Sequence, residues 1–262
     1  MLLLVDAGNT RIKWALVDAT AGLGRWSAFG ALGHAEAGTL AQAWQGLRFS
    51  RALLSNVAGA ALRQSLEAAL AAATALRPAQ IDWFASTPQL GGVRNGYRNP
   101  AQLGCDRFAS LIGAHALFPQ QALIVATCGT ATTVDALGAD GDFVGGMILP
   151  GLGLMASSLA SNTAQLPQVA HGLSRSQMFA DNTEAAIAAG CIAAQAGAIE
   201  RAVAAHAQQH AALQCVLAGG AAAYIAPQLR VQHQIVDNLV LIGLQVAALQ
   251  AADTDHHPRF LS

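Results

Sequence analysis

Residues Leu3-Leu4-Val5-Asp6-Ala7-Gly8-Asn9-Thr10 lie over Ile124-Val125-Ala126-Thr127-Cys128-Gly129-Thr130-Ala131 at a constant offset of 121 positions. In each copy an apolar strand runs into a turn of small residues. Each then continues into a second strand-like stretch, Ile12 to Val17 and Thr132 to Leu137. A fixed-period echo marks a duplicated architecture, so the fold of the first hairpin is also the fold of the second.

Further strands and helices follow each hairpin. Ala52 to Val57 precedes the Ala/Leu-periodic run Ala60 to Leu76, and Cys215 to Ala218 precedes Gly219-Gly220 and another helix. Strands alternating with helices in two matching halves predict an α/β protein of two domains with similar topology. The offset places the first domain at residues 1–120 and the second at 121–252, leaving 253–262 as a polar tail with His256 and His257, read as unstructured. Asn99-Pro100 supplies a cap and a first-turn proline for a helix reaching about Phe118, its regular part beginning near Asp106. Asp181 and Glu184 have capping-box spacing for a long helix from about Asn182 to Gln209.

Composition removes several function classes. A chain that is 53% hydrophobic is not disordered. Fourteen Lys+Arg against 15 Asp+Glu, with the arginines scattered, leave no electrostatic footprint for a nucleic acid. Only 11% of residues are charged, where about 25% is usual, so part of the surface is Ala/Gln/Gly or is covered by another subunit. A homo-oligomer is expected. No membrane span is expected either: the charge-free stretch from Phe143 to Arg175 is broken by Gly145, Gly146, Pro150, Gly151 and Gly153, and the run Ala185 to Ile199 is short and mostly Ala. The N-terminus meets Asp6 after five apolar residues without a basic segment, which predicts a soluble, unexported, cytoplasmic protein. Cys105, Cys128, Cys191 and Cys215 have no metal-type spacing and read as reduced, mostly buried thiols. His206 and His210 stand i, i+4 on a helix without a third ligand nearby and read as a solvated face.

The chemistry-bearing residues sit at the turns. In Asp6-Ala7-Gly8-Asn9-Thr10-Arg11-Ile12-Lys13, Gly8 and Asn9 tolerate positive φ, so successive N–H groups converge on an oxyanion. The Thr10 hydroxyl adds a donor and Lys13 a charge, and Asp6 at the strand end suits a water-mediated Mg²⁺. An ordinary hairpin closed by Asn-Thr is the alternative. The second turn, Gly129-Thr130-Ala131-Thr132-Thr133 followed by Asp135, favours phosphate binding, because two hydroxyl-rich turns facing each other would clamp a polyphosphate. Asp106 and Arg107 fall at a helix N-terminus, where backbone amides attract an anion and hold Asp106 ionised. Arg107 suits a substrate carboxylate and Asp106 a hydroxyl proton, with a surface ion pair as the alternative. Gly219-Gly220 is either a plain strand-to-helix turn or a place where a flat base approaches the backbone.

Together with Gly96-Tyr97-Arg98-Asn99-Pro100, Leu103-Gly104-Cys105-Asp106-Arg107, Gly129-Thr130-Ala131-Thr132-Thr133-Val134-Asp135, Gly145-Gly146-Met147-Ile148-Leu149-Pro150-Gly151 and Asn182-Thr183, these segments resemble the type III pantothenate kinases, a family that includes the Bvg accessory factor proteins. The resemblance covers almost the whole chain. It implies two ribonuclease H-like domains of the acetate and sugar kinase, Hsp70 and actin superfold. It also implies Mg-ATP bound by both turns and by Gly219 and Gly220, and pantothenate held by Tyr97, Gly104, Cys105, Asp106, Arg107 and the dimer partner's Thr183. Asp106 matches the family's general base. The implied reaction is phosphorylation of pantothenate to 4'-phosphopantothenate, the first step of coenzyme A biosynthesis. A non-catalytic accessory factor, or a kinase of another small hydroxylated metabolite, are the rival readings. Many members carry an acidic residue two positions before the Gly of the second turn, where K⁺ or NH₄⁺ binds; Thr127 stands there, which predicts a weaker cation dependence.

Overall fold

A computed structural model describes residues 1–253 apart from 19, 75, 77–79, 170–177 and 211. All but the first residue of the expected tail, including His256 and His257, lies outside the described residues. The strands and helices follow in the order β1 (Leu2–Ala7), β2 (Arg11–Val17), β3 (Ala28–Gly33), α1 (Leu40–Trp44), β4 (Arg51–Asn56), α2 (Ala60–Ala73), β5 (Ile81–Trp83), β6 (Gln89–Leu90), β7 (Val93–Asn95) and α3 (Cys105–Leu117). There follow β8 (Ala122–Cys128), β9 (Ala131–Leu137), β10 (Asp142–Pro150), α4 (Leu152–Asn162), α5 (Thr183–Ala207), β11 (Leu213–Ala218), α6 (Ala222–Ile225), β12 (His233–Ile235) and α7 (Leu239–Asp253). The chain divides into one unit of Met1–Leu117 with Asn238–Ser262 and a second of Phe118–Asp237.

In the first unit the sheet order is β3-β2-β1-β4-β5. The first three strands form an antiparallel meander, and β4 and β5 continue parallel to β1. Leu3, Leu4 and Val5 are successive buried residues, as expected of a strand covered on both faces. Leu62, Leu66, Ala69 and Leu70 form the helical stripe by which α2 joins this core. That helix stops at Ala73, short of the expected Leu76, because Thr74 turns extended and its hydroxyl donates to the Leu70 carbonyl.

The second unit repeats the pattern strand for strand. Its part of the larger sheet runs β12-β11-β8-β9-β10, with β8, β9 and β10 antiparallel and β11 and β12 parallel to β8. The echo at offset 121 is therefore a duplicated sheet as well as a duplicated hairpin. Ile124, Ala126, Ile192, Ile199, Leu217 and Ile225 anchor the core of this unit.

Two sequence expectations need correction here. The last helix, assigned above to the second domain, belongs to the first unit. It packs on α3, where Gly113 and Gly243 permit backbone contact: a Cβ on Gly113 would come 2.7 Å from the Leu239 carbonyl oxygen, and one on Gly243 would strike the Ala109 carbonyl. The second correction concerns α5, which is capped by Asn182 rather than Asp181; the Asn182 side chain accepts from the Ala185 N–H at 2.9 Å. Among the described residues α5 is the one helix long and apolar enough to cross a membrane by length and composition. One face of it, with Ile187, Cys191, Ile192, Ala196 and Ile199, instead lies in the core of its unit.

Candidate active site

In the first unit the candidate residues gather at the ends of β1, β2 and β4 and the start of α3. The β-hairpin register places Asp6 opposite Lys13 and, across the parallel pair, beside Ser55. The turn between β1 and β2 is closed by the Gly8 N–H donating to the Arg11 carbonyl at 3.1 Å, and Asn9, Thr10 and Arg11 are exposed. Ala7 and Ile12 have fully buried side chains, so only their backbone is offered to a ligand. His34 reaches the same turn from the end of β3, its Nε2 donating to the Gly8 carbonyl at 2.8 Å.

Asn99 caps a short 3₁₀ turn, Pro100–Gln102, and the regular helix α3 starts only at Cys105. Its first turn carries Asp106, whose Oδ1 accepts the Arg107 N–H at 2.8 Å. Arg107 is buried to 7% exposure, donates from Nη1 to the Tyr97 hydroxyl at 3.0 Å and stacks its guanidinium over that ring at 5.7 Å. Cys105 Sγ lies 3.3 Å from the buried Ser55 Oγ and 3.7 Å from the Asn56 carbonyl, tying α3 to the end of β4.

The electrostatics differ from those expected of a plain helix N-terminus. Burial raises the Asp106 carboxyl above the usual carboxylate range, outweighing the Arg107 N–H and guanidinium that lower it. Asp6 is pushed up to about 7, first by burial and then by the charge of Asp106, with Lys13 opposing. Asp106 is thus a stronger base than the expected ionised carboxylate of ordinary pKa.

The other unit carries the second candidate turn. The β8–β9 turn is closed by the Gly129 N–H donating to the Ala131 carbonyl at 3.0 Å, with Thr130 exposed. Gly151 donates its N–H to the Thr130 carbonyl at 2.9 Å, and Ala221 donates to the Cys128 carbonyl at 3.0 Å. Gly219, at φ +89°, lies so close that a Cβ would strike the Cys128 carbonyl, whereas Gly220 faces open space. Of the two glycines, Gly220 is the one free to meet a base.

Thr132, expected among the phosphate ligands, is fully buried and donates its hydroxyl to Gln195 Oε1 at 2.6 Å. Strand alternation explains the correction: beyond the turn, Thr132 already points into the unit's interior. Thr127 is half-buried opposite Thr133, whose Oγ1 is buried without a hydrogen-bond partner. Thr183 is exposed at the first turn of α5. The four thiols are free, three of them buried. His206 is not solvated as expected: it is 8% exposed and hydrogen-bonded to the Leu137 carbonyl at 3.0 Å, while His210 falls beyond the end of α5. No group of three or more His, Cys, Asp or Glu residues suited to a metal occurs among the described residues.

His34, Ser55 and Gln195 were missed by sequence reasoning. Their partners lie 26 to 63 positions away, so no local motif marks the contacts. Gln195 alone left a trace, as a lone amide in the apolar stripe Cys191, Ile192, Ala196, Ile199.

The sequence profile of type III pantothenate kinases matches residues 2–205. The chain belongs to the type III pantothenate kinase family. A type III pantothenate kinase of Janthinobacterium sp. (strain Marseille) is 63% identical over 97% of this chain and 100% of its own length. One from Burkholderia cenocepacia (strain ATCC BAA-245) is 46% identical over 96% of each chain. Among solved structures, a Sinorhizobium meliloti protein provisionally described as a 2-dehydro-3-deoxygalactonokinase superposes with a TM-score of 0.58 at 14% identity, covering 98% of this chain and 100% of its own. The fold is that of the sugar kinases and actin-like ATPases. The family assignment makes the chain a phosphotransferase, a pantothenate kinase of coenzyme A biosynthesis.

Proposed function

We propose that this pantothenate kinase uses Asp106 as its general base. The observation that carries the assignment is the Asp106 carboxyl, held by the Arg107 N–H in the first turn of α3 and raised by burial above its ordinary value, which makes it a stronger base toward a hydroxyl proton than a solvated carboxylate. Arg107, fixed by Tyr97, pairs with the pantothenate carboxylate, with Gly104 and Cys105 beside it at the start of α3. The primary hydroxyl oxygen then attacks the γ-phosphorus of ATP, the bond to the ADP oxygen breaks, and the hydroxyl proton passes to Asp106.

Phosphate oxygens of ATP are taken by the exposed tip of the first turn at Asn9 and Thr10, with Lys13 adding charge, while the Gly8 N–H closes the turn; a second phosphate-binding turn is that at Gly129 and Thr130, with Thr130 exposed. The donor chemistry fits Mg²⁺ at Asp6, a carboxylate at the end of β1, since this ion binds through one or two carboxylates plus water and substrate phosphates. When bound, it offsets negative charge on the phosphates. A monovalent cation fits poorly at Thr127, where hydroxyls of Thr127 and Thr133 bring no charge.

The protein acts as a cytoplasmic homodimer in which Thr183 completes the partner's substrate pocket. Supporting this are exposed apolar side chains in the second unit, Val144 and Ile148 each at 65% on β10 and Leu154 at 51% on α4, with Phe179 at 89% just before α5. A monomer in analytical ultracentrifugation that keeps full activity would remove the dimer from the reading. ADP release measured with and without pantothenate tests the activity itself. Release that depends on pantothenate is expected, and release indifferent to it points to another acceptor.

A further inference from the structure

Gln195 is the one side-chain amide in the buried stripe of α5, and it is fully buried. Its Nε2 lies 2.6 Å from the Pro150 carbonyl, which only accepts, so the amide orientation is fixed and Oε1 accepts the Thr132 hydroxyl at 2.6 Å. Pro150 ends β10, and Thr132 is the second residue of β9, the strand that leaves the second turn; Pro150 pairs with Ala131, and Leu149 with Thr132. The next residue, Gly151, donates its N–H to the Thr130 carbonyl.

We infer that Gln195 is a positioning residue for ATP: one amide on α5 brackets β9 and β10 and so holds the exposed tip of the Gly129–Thr130 turn in its phosphate-binding arrangement. This rests on the reading of that turn as a phosphate site. A long apolar helix gains nothing in packing from a buried amide, which costs desolvation unless both of its ends are bonded. Here both ends are bonded, to β9 just after the turn and to the end of β10 beside it, and Met155 Sδ lies 3.5 Å from Nε2 as a third neighbour.

Gln195→Met removes both hydrogen bonds at similar volume. It is expected to raise the ATP KM about tenfold, the scale of one lost buried hydrogen bond, while the pantothenate KM stays within about twofold. In Gln195→Glu, a protonated carboxyl donates to Pro150 and accepts from Thr132 as the amide does, whereas the carboxylate has no proton to donate. Its ATP KM should therefore climb between pH 6 and pH 8.5 relative to wild type, and this slope decides the matter if the Met variant does not fold. An ATP KM unchanged in Gln195→Met, equal rises for both substrates, or a Glu variant without the added pH slope each overturns the inference. Gly129→Val, which places a branched side chain over the turn without touching Gln195, separates the two levels. If it leaves the ATP KM unchanged, the phosphate reading falls and this inference with it; if it raises the KM and Gln195→Met does not, only the inference falls.

Discussion

His34 and Gly8, 26 positions apart, are joined by a 2.8 Å hydrogen bond from the imidazole Nε2 to the glycine carbonyl. Because a carbonyl only accepts, the proton sits on Nε2, and the ring braces the turn between β1 and β2 from the end of β3. His34→Ala is expected to raise the ATP KM about three- to tenfold with little change in the pantothenate KM. His34→Gln, which keeps an N–H donor, should lose less. Steady-state kinetics with each substrate varied in turn provide the check.

Asp106→Asn keeps size and polarity but removes the proton acceptor. We expect kcat to fall by about 10²–10⁴ with ATP binding preserved. Single-turnover measurements beside a nucleotide-binding titration separate the two effects. Near-wild-type turnover in a folded variant would move the base elsewhere.

For Asp6 the sign of the pH effect follows from a carboxyl raised from 3.8 to about 7. The folded, ligand-free protein resists ionising it more than the unfolded chain does. That group's contribution to stability is therefore fully present below about pH 4, declines as pH rises and is lost above about pH 7. Asp6→Asn should raise the thermal midpoint of the nucleotide-free protein most at pH 8, less at pH 6 and hardly at all at pH 4, while greatly reducing activity. A midpoint difference that does not vary with pH would show that burial of the Asp6 charge is not the cause.

Thr127 supplies a hydroxyl and no charge where a monovalent cation would be attracted by an acidic side chain. Wild-type activity should depend only weakly on K⁺ or NH₄⁺ against Na⁺ at matched ionic strength, and Thr127→Asp should strengthen that dependence. A strong requirement that Thr127→Asp leaves unchanged would place the ion on other groups.

The duplicated sheet was legible because its signal is local: an apolar strand, a small-residue turn and a second strand, stated twice at one offset. The placement of Asp6 at a strand end and of Asp106 and Arg107 in the first turn of a helix was legible for the same reason, whereas Gly8 and Asn9 do not take the positive φ expected of them. What escaped depends on contacts distant in sequence. α7 reads like a helix of the second half until the Gly113–Gly243 contact with α3 is seen. Thr132 looks like one more hydroxyl of the second turn, and only strand alternation and Gln195 take it inside. The raised carboxyls of Asp6 and Asp106 come from burial that a motif does not report.

The place of α7 in the first unit has a consequence for biosynthesis. Residues 118–237 are contiguous, so the second unit is complete while the ribosome is still translating, but the first unit begins the chain and receives its last helix at the other end. Until Leu239–Asp253 emerges, α3 and strands β1 and β4 lack the helix that packs on them. The half that carries Asp6 and Asp106 is synthesised first and finished last, so a nascent chain interrupted before Leu239 would hold every residue of the second unit but an unfinished first one.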